Sequence, residues 1–263
     1  MKTVDVPHIS KLKNKMVNLP PPLKPSIKKT ILFDLDETLV HCVDDNEAEN
    51  PQYILPITFE DGETIEAGIN IRPYAIECLR SANEHFQVVV FTASHKSYAD
   101  VVLDFLDPHN ELIQYRLYRD SCVLTEDGVH IKDLRIIANR DLKDMVLVDN
   151  AVYSFGFQLD NGIPIIPYYE DPGDEELLHL MYYVSCLAAF EDMREQNRKA
   201  FQLQELETGQ MNEYLDQQIE PEEGNLEDPS PLNEEEYQYY CTDEQEEDEY
   251  YGEEEQEEMK EGE

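Results

Sequence analysis

Residues 30–38 read Thr30-Ile31-Leu32-Phe33-Asp34-Leu35-Asp36-Glu37-Thr38. A short apolar run that stops abruptly at a carboxylate has the pattern of a parallel strand buried on both faces. The pattern recurs along the chain. Phe86–Thr92 (FQVVVFT) predicts a second buried strand, and Met145–Val148, followed by Asp149-Asn150, a third. Ile163–Ile166 predicts a fourth. Helical stretches lie between them. Arg72-Pro73 opens one, PYAIECLRSANEH, with Pro near the first helical position. Another begins near Ser94 and ends before Pro108, and a short helical stretch precedes the third strand. Asp174 to about Phe201 reads as one helix, with an apolar stripe through Leu177, Leu178, Met181, Val184 and Leu187. Strands alternating with helices predict a parallel sheet covered on both faces. Two smaller features interrupt it. Residues 53–59 and 64–71 are strand-like around Glu60-Asp61-Gly62-Glu63, a hairpin signal because Gly accepts positive φ. Residues 115–131 predict another small hairpin with Glu126-Asp127-Gly128 at its tip.

The chain has 263 residues and a net charge of −39, unevenly spread. Residues 1–29 carry seven Lys against one Asp, and residues 201–263 carry 25 acids against one Lys. Such an acidic balance argues against unaided binding to nucleic acid or an anionic membrane face. No apolar run approaches the ~20 residues that span a bilayer, and no N-terminal h-region is present. The five Cys are widely spaced with no CxxC pair, which disfavours a disulfide framework or zinc knuckle and favours an intracellular setting. Residues 1–29, with Pro20-Pro21-Pro22 and Pro25, read as a basic, partly ordered lead-in: a solvated extension, or one whose lysines steer a phosphorylated partner or act as a nuclear address. Residues 30–201 form the domain, and residues 202–263 are expected to be a disordered acidic tail.

In open α/β sheets, ligands sit beyond the carboxyl ends of the strands. The first strand ends in Asp34 and Asp36, the second in Thr92-Ala93-Ser94, and the third in Asp149-Asn150. Lys132 lies in the connection before the third. Two carboxylates, a hydroxyl, an ammonium and a carboxylate–amide pair would thus meet at one sheet edge. That set suits phosphoryl transfer through an aspartyl-phosphate. One carboxylate is the nucleophile, a second the acid/base, a hard cation neutralises the phosphate, and donors hold its oxygens. Taken singly, each residue has an ordinary reading. Asp36 is a loop acid, Thr92 a strand-end hydroxyl capping the next helix, Lys132 a surface lysine, and Asp149-Asn150 a turn. Their conjunction carries the inference.

The runs ILFDLDETLVHC (31–42), NIRPYAIECL (70–79), VVVFTAS (88–94), KSYAD (96–100), YRDSC (118–122), IKDL (131–134) and VLVDNA (146–151) resemble the FCP/SCP-type phosphatases. These are also called carboxy-terminal-domain or NLI-interacting-factor-like phosphatases, a branch of the haloacid dehalogenase superfamily. The resemblance spans about residues 28–190. It implies a Mg²⁺-dependent protein serine/threonine phosphatase on an α/β three-layer sandwich with a mainly parallel, Rossmann-like sheet. Carried over, Asp34 is the nucleophile, Asp36 the general acid/base, and Thr92 and Lys132 the phosphate holders. The metal would be held by Asp34, the Asp36 main-chain oxygen and Asn150, with Asp149 beside it. Arg119 and Tyr98 would lie near the substrate. Asp120 stands where the family commonly has Glu, the acidic tail has no counterpart in compact members, and the membrane-anchoring helix of one subgroup is missing.

Only 58 positions separate Asp34 from Thr92 and 40 separate Thr92 from Lys132, leaving no room for a large cap domain. An open site suits a phosphorylated side chain on a protein partner. The inserted hairpin offers Tyr53, Ile54, Leu55 and Phe59 either as a groove wall or as core cover. His41 and Cys42 read as packing residues, and Tyr168-Tyr169 and Tyr182-Tyr183 as core or helix-face aromatics. Two rival functions remain, a small-molecule phosphatase of the same superfamily and a catalytically silent phosphoprotein-binding module. The compartment is expected to be nuclear or cytoplasmic, and oligomeric state has no signature. The tail, with Ser230-Pro231 among its acids, could fold back on a cationic groove as a mild autoinhibitor.

Overall fold

Lys29–Phe33 (β1) is almost wholly buried, and its side chains divide by period two. Ile31 and Phe33 enter the core on one side of the sheet, and Leu32 enters the core on the other. The computed structural model describes residues 6–43, 46–59 and 62–205. After β1 come Val40–Val43 (β2), a single turn Asn46–Glu49 (α1), Tyr53–Thr58 (β3), Thr64–Ile71 (β4), Ala75–His85 (α2) and Phe86–Phe91 (β5). Lys96–Leu106 (α3), Tyr115–Leu117 (β6), Val123–Leu124 (β7), His130–Ile131 (β8), Met145–Asp149 (β9) and Gly162–Pro164 (β10) follow. Glu176–Leu187 (α4) and Met193–Phe201 (α5) come last.

The main sheet runs β10-β9-β1-β5-β6 with every pairing parallel. One face is covered by α2, α3 and α4 through residues such as Leu79, Leu103 and Val184. The other is covered by Leu134, Ile136, Val152 and Phe155 from short 3₁₀ turns and by Leu12 and Leu19. The segment expected as a lead-in is therefore part of the body. Leu12 and Leu19 are 2% and 3% exposed, and the Asn139 amide pairs with both the N–H and the C=O of Leu19. Apolar spacing there is too sparse to announce an element, yet two buried leucines suffice to anchor a segment that is otherwise mostly exposed.

Four further expectations need correction. The insertion is a three-stranded antiparallel sheet, β2-β4-β3, rather than a hairpin, because LVHC continues straight from the loop into β2. Its turn signal is sound, since Gly62 adopts φ +88°. Residues 115–131 do not form one hairpin. β6 joins the main sheet as its edge, and only β7 and β8 pair with each other. The expected helix from Asp174 to Phe201 is two helices, because Asp192 caps α5 by accepting from Arg194 N–H at 3.1 Å. Finally, Leu203 packs into the core beyond Gln202, where a disordered tail was expected to begin. The tail from residue 206 lies outside the described residues. Helix α2 starts at Ala75, two residues after Pro73, since Tyr74 takes a left-handed φ of +64°.

Candidate active site

β9, β1 and β5 are adjacent and parallel, so their carboxyl ends meet at one edge. Phe33 registers with Val148 on one side and with Val90 on the other, and Asp34 N–H donates to Val148 O at 2.9 Å. This places Asp34 and Asp36 just past β1, Thr92 and Ser94 just past β5, and Asp149 and Asn150 at the end of β9. Lys132 arrives from the residue after β8, anchored by Lys132 N–H to Ser154 O at 2.7 Å.

Lys132 is 2% exposed, and its Nζ lies 2.5 Å from both Asp34 Oδ1 and Asp149 Oδ2. Asp149 accepts from Ala151 N–H through its other oxygen. Asp36 has a separate environment. Ser94 Oγ donates to its Oδ2 at 2.6 Å and the Tyr98 hydroxyl to its Oδ1 at 2.7 Å. Thr38 Oγ1 donates to Asn150 Oδ1 at 3.4 Å, tying the loop after β1 to the end of β9. Thr92 Oγ1 accepts from Ser94 N–H at 2.9 Å, which shapes the turn after β5.

Burial raises both carboxyls, against different counterweights. Burial, then the charge of Asp149, pushes Asp34 well above the usual carboxylate range, with Lys132 offsetting only part of it. Burial also raises Asp36, while the hydrogen bonds from Ser94 and Tyr98 oppose the rise. Burial disfavours the Lys132 charge, but Asp149 and Asp34 outweigh it and hold that ammonium firmly protonated. Three carboxyls against one ammonium leave the cluster short of positive charge. The side-chain ligands available there are all oxygen: the carboxyls of Asp34, Asp36 and Asp149 and the Asn150 amide oxygen. Among the described residues no three His, Cys, Asp or Glu side chains converge as a protein-only cage. A sparse, all-oxygen set lacking positive charge fits Mg²⁺, which is commonly held by one or two carboxylates with its waters and a phosphate completing the shell.

Arg119 stays at the rim. It donates to Ala93 O and contacts His95 Nε2 through Nη1 at 2.9 Å, touching none of the buried carboxyls. Tyr98 is turned inward to Asp36, a partner that the KSYAD run alone does not name. Tyr53 and Ile54 are exposed, Tyr53 stacking on Phe105 with centroids 4.8 Å apart, while Leu55 and Phe59 pack on the core.

Sequence reasoning missed three contributors. Ser94 carries a signal, a second hydroxyl two residues past the first. Tyr153 stands close enough to Asp149, Lys132 and Asp34 for their charges to act on its hydroxyl, which burial already raises. Arg72 is fully buried, donates to both Asp174 oxygens at 2.8 and 2.7 Å and to Thr38 O at 3.3 Å, and bears no local signal of this.

The family model of the NLI interacting factor-like phosphatases matches residues 29–194. The chain belongs to that family. "CTD small phosphatase-like protein 2" of Dictyostelium discoideum is 44% identical over 190 residues, covering 72% of this chain and 33% of the relative. "CTD small phosphatase-like protein 3" of Caenorhabditis elegans is 37% identical over 188 residues, covering 71% and 64%. The human "Carboxy-terminal domain RNA polymerase II polypeptide A small phosphatase 2" is 39% identical over 163 residues, covering 62% and 58%. The chain thus spans between a third and just under two thirds of these relatives. Among solved structures, that of Fcp1, "an essential RNA polymerase II CTD phosphatase", aligns with a TM-score of 0.47 at 20% identity over 83% of this chain and 58% of that one.

Proposed function

We propose that this protein is a Mg²⁺-dependent phosphatase acting on phosphoserine or phosphothreonine in proteins, through an aspartyl-phosphate on Asp34. The observation that carries the reading is the division of labour between two carboxyls two residues apart. Asp34 faces an ammonium, and Asp36 sits between two hydroxyl donors. In the first step the ionised Asp34, the form that Lys132 favours against burial and Asp149, attacks phosphorus and the bond to the serine or threonine oxygen breaks. Asp36, whose burial favours a held proton, gives that proton to the leaving oxygen. In the second, Asp36 takes a proton from water, the water oxygen attacks phosphorus, and the Asp34–phosphorus bond breaks to release phosphate. Lys132, the Thr92 hydroxyl and the Ala93 N–H supply cationic and dipolar support for the phosphoryl oxygens, the Ser94 N–H and hydroxyl being engaged by Thr92 and Asp36. Mg²⁺, held by Asp34, the Asp36 carbonyl and Asn150 with Asp149 alongside, would draw off phosphoryl negative charge. The exposed Tyr53 and Ile54 of the insertion support a peptide-sized substrate. The name of the human relative, which refers to the carboxy-terminal domain of RNA polymerase II, supports a phosphorylated protein as substrate, nuclear or cytoplasmic. No helix among the described residues is long and apolar enough to cross a membrane.

The test is an acid quench of the enzyme mixed with a ³²P-phosphoserine peptide and Mg²⁺. Label should remain on the peptide fragment containing Asp34. Turnover with no protein-bound label at any quench time would exclude the covalent route.

A further inference from the structure

In a chain of charge −39, two cations, Lys15 and Arg119, and two imidazoles, His95 and His130, lie on one lip of the site with no carboxylate ion-pair partner among the described residues. Arg119 Nη1 meets His95 Nε2 at 2.9 Å, and Arg119 Nε donates to Ala93 O. Lys15, from the N-terminal segment, donates to the main-chain oxygen of Asp120 at 2.6 Å. His130 is the fourth; burial, and then the charges of Arg119, Lys15 and His95, push its imidazole down, so it offers a ring N–H rather than a full charge. Among the described residues none of the four forms an ion pair with a carboxylate. The basic residues around them are otherwise committed. Lys96 and Arg116 both pair with Asp100, and Arg135 pairs with Asp133. His95 and Arg119 are exposed, while Lys15 and His130 are half-buried.

The cluster abuts the site. Arg119 N–H donates to Ser94 O at 3.1 Å, and the Ser94 hydroxyl holds Asp36. His95 follows Ser94 directly, and His130 precedes Lys132 by two residues. The charge of Lys15 reaches the buried Cys122 thiol, on which Lys132, Asp34 and Asp149 also act.

We infer that Lys15, His95, Arg119 and His130 form a second anion subsite, which selects phosphopeptides carrying another anionic side chain close to the phosphorylated residue. This rests on the phosphatase reading above and deepens it. An extended peptide rises about 3.3–3.6 Å per residue, so the second anion would lie within roughly four residues of the phosphoserine. The shared chemistry is an oxyanion, supplied either by Asp/Glu or by a second phosphoserine. Two unneutralised cations, Lys15 and Arg119, each held by a backbone carbonyl, accept such a group with little reorganisation, and the two imidazoles beside them add ring N–H donors. Lys15 makes the N-terminal segment a part of substrate selection as well as of the core.

The experiment uses the full chain with Mg²⁺ and phosphoserine peptides in which positions −4 to +4 are neutral, carry one Asp, or carry one further phosphoserine. KM is measured by turnover, and affinity for the same peptides by fluorescence anisotropy. An acid at one favoured position should lower KM and Kd about tenfold relative to the neutral peptide, about one charge-assisted hydrogen bond's worth. In the Lys15→Met/His130→Gln double variant, checked for an unchanged Tm, that ratio should fall below about twofold. The second-phosphate arm shows whether charge or carboxylate shape is read. Equal values for neutral and acidic peptides would overturn the subsite, and so would an acid preference surviving in the double variant. If no peptide turns over while anisotropy still shows the preference, the phosphatase reading fails and the subsite stands.

Discussion

The Tyr98 hydroxyl donates to Asp36 Oδ1 at 2.7 Å, so a residue on the first turn of α3 fixes the carboxyl proposed to move the proton. Burial and the adjacent Asp36 charge keep that phenol protonated, hence a permanent donor. A donor to a carboxylate favours its ionised form, so Tyr98→Phe should move Asp36 further above the carboxylate range. The ascending limb of kcat, which reports Asp36 as the base of the second step, should then shift upward at saturating Mg²⁺, with kcat at neutral pH falling by about 10-fold, within the scale of acid–base catalysis. An unmoved limb would detach Tyr98 from Asp36 in the working enzyme.

Asp34→Asn should abolish turnover yet stabilise the metal-free fold. Burial, and then Asp149, raises the folded carboxyl above its unfolded value, so ionising it costs stability. That cost is absent below the unfolded carboxylate range and grows as pH rises through the folded value. The Tm of wild type in EDTA should therefore fall relative to Asp34→Asn between pH 4 and pH 8, with about 2–4 °C per kcal/mol expected for a domain of this size. A variant that melts below wild type at pH 8 contradicts this.

Arg72→Ala should cost about 3–5 kcal/mol in urea unfolding, because Asp174 loses two hydrogen bonds from a fully buried guanidinium. Arg72→Lys should recover little, since an ammonium cannot reproduce the fork. The same Arg72 donates to Thr38 O, so residual folded protein should also show lower kcat.

Leu19→Ala should destabilise the domain by about 2–4 kcal/mol if the N-terminal segment is core, as its burial shows. Chemical denaturation reads this directly. A cost under about 0.5 kcal/mol, the scale of surface substitutions, would return residues 6–28 to the status of an appendage.

Metal removal completes the set. EDTA should silence the enzyme and millimolar Mg²⁺ restore it, given an oxygen-only donor set. Full activity in metal-free buffer would contradict the proposed cation. A tail-deletion chain for any kinetic comparison should end at Glu205, since Leu203 is buried and removing it would confound activity with stability.

The carboxyl ends of β1, β5 and β9 were legible because each is announced locally. An apolar run that stops at a polar residue marks both the strand and its edge, and parallel pairing brings such edges together. The small elements were less legible. β6 to β8 are two or three residues long, too short for a period to show, and their pairing depends on which neighbour lies closer. The break between α4 and α5 turned on one capping carboxylate within a stretch of helix-forming composition.

By itself, the sequence determined the parallel α/β architecture, the order of the carboxylates, hydroxyl and lysine along it, and the absence of room for a large cap. These follow from local periodicity and from spacing. Tertiary structure alone decided who partners whom. Lys132 bridges Asp34 and Asp149, Tyr98 reaches Asp36 across 62 positions, and Arg72 finds Asp174 across 102. It also decided that Leu12 and Leu19 close one face of the sheet. Such pairings depend on how packed layers bring distant backbone together, and a side chain's type and local spacing carry no record of that.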